Sequence, residues 1–340
     1  MSVGYRKFTI FVTFLLIAGS NPLARAAEAA TEMPAELTGN NWWIWPLALF
    51  AFCLVIGILA PLAGVGGGVL FVPLVSGFFP FHLDFVRGAG LLVAMSGALA
   101  AGPALLRRNL ANLRLALPAA LIASSCSIVG AALGLALPTD VIQILLGAVI
   151  IGISILLMTS KNVERPVVEK QDRIGLAFGI SGTYMEESTG EAVSWKTHQT
   201  PLGLLMFIII GLLAGMFGLG AGWANVPVLN LIMGVPLKVT TATSNFLLSM
   251  TDTTAAWVYL HNGCVVPLIA IPSVMGLMLG ASIGSRILPR AKPKIIRFIV
   301  IAVLLFAGGK ALLKGIQGDE TNHKETAAIE TGPATDDQSN

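Results

Sequence analysis

The 340 residues are 55% hydrophobic and only 11% charged, with a net charge of +3 and a mean hydropathy of +0.81. A soluble domain carries roughly 25% charged residues, and a chain this apolar has too little polar surface to face water. Soluble enzymes, nucleic-acid binders and disordered scaffolds are excluded, and the small charge points to no polyanionic partner. Cys53, Cys126 and Cys264 stand far apart without a CxxC pair or histidine spacing, so neither a metal site nor a disulfide framework is expected. The composition is that of an all-α integral membrane protein embedded in the lipid bilayer.

Residues 1–26 read as a cleaved signal peptide. Arg6 and Lys7 form a basic start, Phe8 to Gly19 an apolar stretch too short to span comfortably, and Ala24-Arg25-Ala26 a small-residue cleavage site. After an acidic stretch (Glu28, Glu32, Glu36), Trp42, Trp43 and Trp45 read as an interfacial anchor. Apolar runs follow at about 44–63, 65–81, 86–106, 115–137 and 140–159, a first transmembrane repeat over 44–159. A second set, at about 201–217, 219–235, 240–260, 265–286 and 294–313, fills 201–313. Most runs are near the length that crosses a hydrocarbon core of roughly 30 Å. Between the sets, 160–200 reads as a cytoplasmic loop. There Ile174–Tyr184 and Glu191–Thr197 either pair as a β-hairpin around Glu187–Gly190 or form an irregular loop. The acidic tail, 315–340, is expected to be disordered.

An ungapped shift of 154 positions superimposes the two sets. It puts Gly57 on Gly211, Gly64 on Gly218, Gly66 on Gly220, Gly68 on Gly222, Pro73 on Pro227, Pro118 on Pro272 and Gly130 on Gly284. Glycine and proline impose backbone geometry, so their coincidence at one shift marks two copies of one bundle. With five spans per copy, Arg107, Arg108, Arg114, the basic residues of 160–200, Lys238 and the Arg286–Arg297 cluster share one side. Arg25, Arg87, Lys310 and Lys314 remain opposite. Positive residues collect on the cytoplasmic face, which favours this ten-span arrangement over re-entrant glycine segments, whose eight spans scatter the basic residues. An odd number of spans inverts the second copy. The expected fold is two inverted repeats of about five segments each, with discontinuous glycine-rich helices.

Those helices are Gly64–Pro73 (GVGGGVLFVP) and Gly218–Pro227 (GLGAGWANVP). Such glycines cost a helix about 1 kcal/mol each relative to alanine, and an interior proline about 3 more. Breaks at matching places in two halves are a sequence pointer to a transport site, because unpaired N–H groups at membrane depth must line a cavity or meet a ligand. A helix start presents N–H donors and partial positive charge, which suits an anion. The alternative is close glycine packing between helices. A nucleotide site is excluded: the third glycine of a dinucleotide fingerprint is missing, and no GxxxxGK[ST] string exists.

Candidate substrate-binding residues are Gly66, Gly67, Gly68, Gly220, Gly222, Asn225, Ser244, Asn245 and Ser249. Thr240 to Asn245 opens a predicted helix, where Thr240 and Thr241 are expected to cap N–H groups. Asp252 is the acidic residue deepest in an apolar run, a costly placement unless protonated or paired. It is the candidate coupling residue, with a proton as its partner, or else bonds the threonines around it. Arg87 either steers an anion or pairs with Asp84.

The strings GVGGGVLFVPL and GLGAGWANVPVL, followed by TTATSNFLLS, resemble the TauE/SafE family of membrane permeases, the sulfite exporter family, over about residues 46–313. The resemblance implies transport of sulfite, sulfonates and related small anions, with Gly66, Gly67, Gly68, Pro73, Gly220, Gly222 and Pro227 at a central site. Thr243, Ser244 and Asn245 match the family's small-Thr-Ser element, whereas the first copy has Gly88-Ala89-Gly90-Leu91 there, without hydroxyls. The expectation is a secondary transporter in the inner (cytoplasmic) membrane, working by alternating access without a cofactor, a metal or a nucleic-acid partner. An anion channel is the alternative. An intramembrane enzyme is disfavoured, since no paired acids, Ser–His arrangement or HExxH string lies in the apolar runs.

Overall fold

The computed structural model describes residues 43–63, 66–107, 110–159, 166, 168, 170–185, 192–287, 298 and 300–316. The leader and almost all of the tail lie outside these residues, as does the Glu187–Gly190 turn. The protein is mostly helical. Helix α1 spans Ile44–Ala63, α2 Gly67–Phe78, α3 Leu83–Arg107, α4 Leu113–Ala136 and α5 Thr139–Thr159. After a short α6 (Arg173–Ala177), strands β1 (Ser181–Met185) and β2 (Ala192–Lys196) pair antiparallel, Ser181 opposite Lys196. Asp172 accepts from the Gly175 N–H and starts α6, so the first strand is confined to the residues after Ile180. Then come α7 (Thr200–Phe217), α8 (Gly222–Pro227) with a π-helical turn (Val228–Ile232), α9 (Leu237–His261) and α10 (Pro267–Ile287). Residues 300–316 form α11.

Among the described residues, five helices are long and apolar enough to cross a membrane: Leu83–Ala100, Leu113–Ala136, Thr139–Thr159, Thr200–Phe217 and Pro267–Gly284. The 25 residues of α9 reach about 37 Å at 1.5 Å per residue. Its threonines, serines, asparagine and aspartate dilute its hydropathy; Thr240, Thr243, Ser244, Thr251 and Asp252 are buried, whereas Thr241 and Thr253 are exposed. The protein is a multi-pass membrane protein.

Each short helix folds back along the long one before it. Phe79, after α2, packs edge-on to Trp45 at the start of α1; Met233, after the π turn, accepts from the His198 N–H just before α7. The π turn widens the helix directly after Pro227, which has no N–H to offer.

The two halves of the sequence exchange helices. Helix α10 packs on α1, and α4 on α7, through contacts that the 154-residue shift interconverts. A Cβ on Gly284 would lie 2.6 Å from the Ile58 carbonyl oxygen, and one on Gly130 would strike that of Leu212, the shifted equivalents. The same holds for Gly57 against the Leu277 carbonyl oxygen and for Gly211 against that of Ala123. Helices α3 and α9, equivalent under the shift, run antiparallel: Arg87 meets Tyr259 at one end, and Thr253 bonds Met95 further along. Helices apolar all round associate through such small-residue contacts, because lipid offers no hydrophobic drive between them. Gly57→Ala and Gly211→Ala should each destabilise the protein by about 1–3 kcal/mol through backbone overpacking. Thermal unfolding in detergent measures this; wild-type stability in either variant contradicts the shared geometry.

Candidate functional site

The second break is made by two left-handed glycines. Helix α7 stops at Gly218 (φ 68°), whose N–H donates to the Ala214 carbonyl at 3.0 Å. Gly220 has φ 71°, and α8 resumes at Gly222 with no side-chain cap. Residues with a Cβ rarely adopt these angles. In the first copy, residues 64 and 65 lie outside the described set; Gly66 is extended (φ −63°, ψ 145°) and leads into α2, again without a side-chain cap.

The two passages touch. A Cβ on Gly222 would stand 3.8 Å from Gly66 Cα and 2.9 Å from Leu248 Cδ1, the side chain that also covers Gly66. Ala94, which the shift pairs with Leu248, mirrors this: its Cβ would be 2.8 Å from a Cβ on Gly68 or on Gly220. A Cβ on Gly68 would also lie 2.6 Å from the Leu219 carbonyl oxygen, and one on Gly67 would meet the Leu277 side chain instead. Four of the five candidate glycines therefore meet in one place.

Buried polar groups without a protein partner stand on or against the second break. Asn225 is 1% exposed, and neither end of its amide is bonded. The Trp223 Nε1 is buried and unbonded. Asp252 is 0% exposed with both oxygens unbonded, one of them 3.0 Å from the Cβ position of Gly220. An unmet buried polar group costs about 1–3 kcal/mol, so these atoms carry a standing cost against the second break. Trp223 escapes a reading of spacing, since a tryptophan in an apolar run passes for packing; the Thr251 hydroxyl, one residue before Asp252, is also buried and unbonded.

Helix α9 supplies the remaining candidates and starts earlier than the sequence suggests, at Leu237. Thr240 and Thr241 are thus already inside it and donate backward, to the Val235 carbonyl at 3.1 Å and the Leu237 carbonyl at 2.9 Å, where N–H capping was expected. Asn230 donates to the same Val235 carbonyl. The Thr243 hydroxyl accepts from the Asn112 N–H at the start of α4, and the Asn112 amide in turn donates to Ser181 of the hairpin. Ser244 is buried. Asn245 and Ser249 are half-buried and, with exposed Thr241 and Thr253, lie on one stripe at four-residue spacing. Asn245 donates to the Thr241 carbonyl, Ser249 to the Phe246 carbonyl. A polar exposed stripe on a helix at membrane depth fits a water-filled face better than lipid.

Arg87 is a clamp. It is 1% exposed, pairs with Asp84, and donates through Nη1 to the carbonyls of Gly134 (3.1 Å) and Met216 (2.9 Å), the last turns of α4 and α7. The Tyr259 hydroxyl donates to Gly215 and Met216, both at 3.1 Å, with the guanidinium 5.6 Å from its ring centroid. Helix ends present orphan carbonyls and partial negative charge, which a cation satisfies.

A family model, sulfite exporter TauE/SafE, matches residues 49–311. The chain belongs to the sulfite exporter TauE/SafE family. It is 26% identical over 270 residues to a probable membrane transporter protein, YunE, of Bacillus subtilis (strain 168), covering 77% of this chain and 96% of that one. It is 26% identical over 259 residues to a probable membrane transporter protein, ORF9, of Sinorhizobium sp, covering 75% and 87%. No solved structure matches the chain. Membership of this family, with helices able to cross a bilayer, makes membrane transport the general function.

Proposed function

We propose that the protein is a secondary transporter of a small sulfur-containing or organic anion, such as sulfite or a sulfonate, across the cytoplasmic membrane. The observation that carries this reading is the contact of Gly66 with Gly222, where two uncapped helix starts meet beside the unbonded Asn225. Helix starts offer N–H donors and partial positive charge to an anion, and an amide can add a donor at fixed distance. Gly66, Gly67, Gly68, Gly220 and Gly222 shape the cradle. Asn225 and Ser244 line it, and Asn245 and Ser249 lead to it along the polar stripe of α9.

Two inverted five-segment copies working by alternating access are part of the proposal. The antiparallel packing of α3 on α9 supports it, since equivalent helices of copies with the same orientation would run parallel. The exchanged contacts of α1 with α10 and of α7 with α4 support it too.

Counterflow in proteoliposomes against a panel of sulfite, thiosulfate, sulfoacetate, taurine and acetate tests the reading. At least one anion should exchange, and Ser244→Ala and Asn245→Ala should each slow that exchange about tenfold with membrane insertion intact, the equivalent of about 1.4 kcal/mol. Wild-type exchange in both variants overturns this assignment of the site.

A further inference from the structure

Asp252 is the one member of the unbonded set that carries chemistry beyond binding. Its carboxyl is closed off from solvent and touches the left-handed hinge at Gly220. The hinge is also covered by Ala94, which clusters with Ala98 and Leu248, so the carboxyl's surroundings there are apolar. The shift of 154 puts Asp252 on Ala98, so the molecule has one such carboxyl and not a symmetric pair.

No ionisable group on the elements around it answers Asp252. On α3, Asp84 and Arg87 pair with each other toward the Tyr259 end; Arg107 is at the other end. On α4 the ionisable groups are Arg114, which lies against Gly179 near the hairpin, and Cys126. Helices α7 and α8 and the π turn carry none. On α9 itself, Lys238 and His261 are at the two ends, and the Tyr259 hydroxyl is committed to α7. Among the described residues no hydrogen bond or ion pair reaches either oxygen.

We propose that Asp252 takes up one proton for each anion held at the break, making the carrier a proton–anion symporter; this rests on the anion-transport reading above. An ionised carboxylate beside the hinge repels an anion at the same break, so the two negative charges do not share the closed site. Binding the anion draws a proton onto the Asp252 oxygen, and the neutral acid tolerates the closed surroundings that an ion does not. When the cavity opens to the other face, water solvates the carboxylate, and proton and anion leave together. Nothing is oxidised or reduced, and one O–H bond is made and broken per cycle. A metal cation in the proton's place would need several oxygen ligands, and the cluster against the hinge is hydrocarbon.

The test uses full-length protein in proteoliposomes at zero membrane potential, with sulfite, thiosulfate and sulfoacetate as probes and pyranine inside to report pH. Counterflow at equal pH on both sides reads the transport function alone. The proposal expects wild-type protein to accumulate the exchanging probe about tenfold per unit of inward pH difference, the ratio for one proton per anion. It also expects internal acidification in step with uptake. Asp252→Asn, which fixes the neutral form, should lose both effects, and whatever counterflow it retains should not depend on pH. Wild-type counterflow with no pyranine response, accumulation driven by sodium in place of protons, or full pH-driven accumulation by Asp252→Asn each overturn it. The pyranine measurement on wild type decides even if the variant fails to fold, and absent counterflow of every probe overturns the transport reading itself.

Discussion

Asn225→Leu should make the protein more stable and abolish its transport. Both ends of the Asn225 amide are buried without a protein partner, a standing cost of about 1–3 kcal/mol that an isosteric apolar side chain removes. A residue kept for folding has the opposite signature, because its loss weakens the fold. Thermal unfolding in detergent should therefore shift upward while probe uptake falls to background. A destabilised variant would show that the amide serves the fold through a bond the apo protein makes, and would remove it from the site.

Arg87→Met should be among the most damaging single changes. It leaves the volume nearly filled but strips the guanidinium donors from Gly134 and Met216, the latter keeping only Tyr259, and leaves Asp84 with His82 3.8 Å away in place of its ion pair. Removing one partner of a buried ionic network costs about 3–5 kcal/mol. Adding Asp84→Asn should restore only part of this, since the two helix ends still lack their cation. Complete rescue by the double variant would reduce Arg87 to a plain partner of Asp84. The comparison of unfolding midpoints in the three variants separates these cases. Because the clamp joins α3 to the last turn of α7, directly before Gly218, it also fixes one edge of the break.

Much of this architecture is legible in the sequence for one physical reason: glycine and proline constrain the backbone, so their repetition at a single shift reports repeated geometry. The repeated breaks follow from that signal; the polar character of α9 is read from its own residues, since the first copy lacks them. The exchange of helices between the halves does not. Helices such as α1 and α7 are apolar all round, and nothing in their periodicity says which neighbour they prefer; only the backbone contacts of Gly57, Gly130, Gly211 and Gly284 reveal it. Composition also misplaces the start of α9, because Leu237 and Lys238 read as connection while their backbone is already helical. Arg87 illustrates the same limit. Its spacing to Asp84 suggests an ion pair, but the two helix ends it caps come from residues 47 and 129 positions away.

The most direct measurement is equilibrium binding of a radiolabelled exchanging anion to purified protein, wild type against Asn225→Leu. If the glycine passages form the site, wild type binds saturably and binding weakens at least about tenfold in the folded variant, a loss of about 1.4 kcal/mol or more. Equal affinity in the two proteins would contradict it, and the meeting of the glycine passages would then be a packing contact and nothing else.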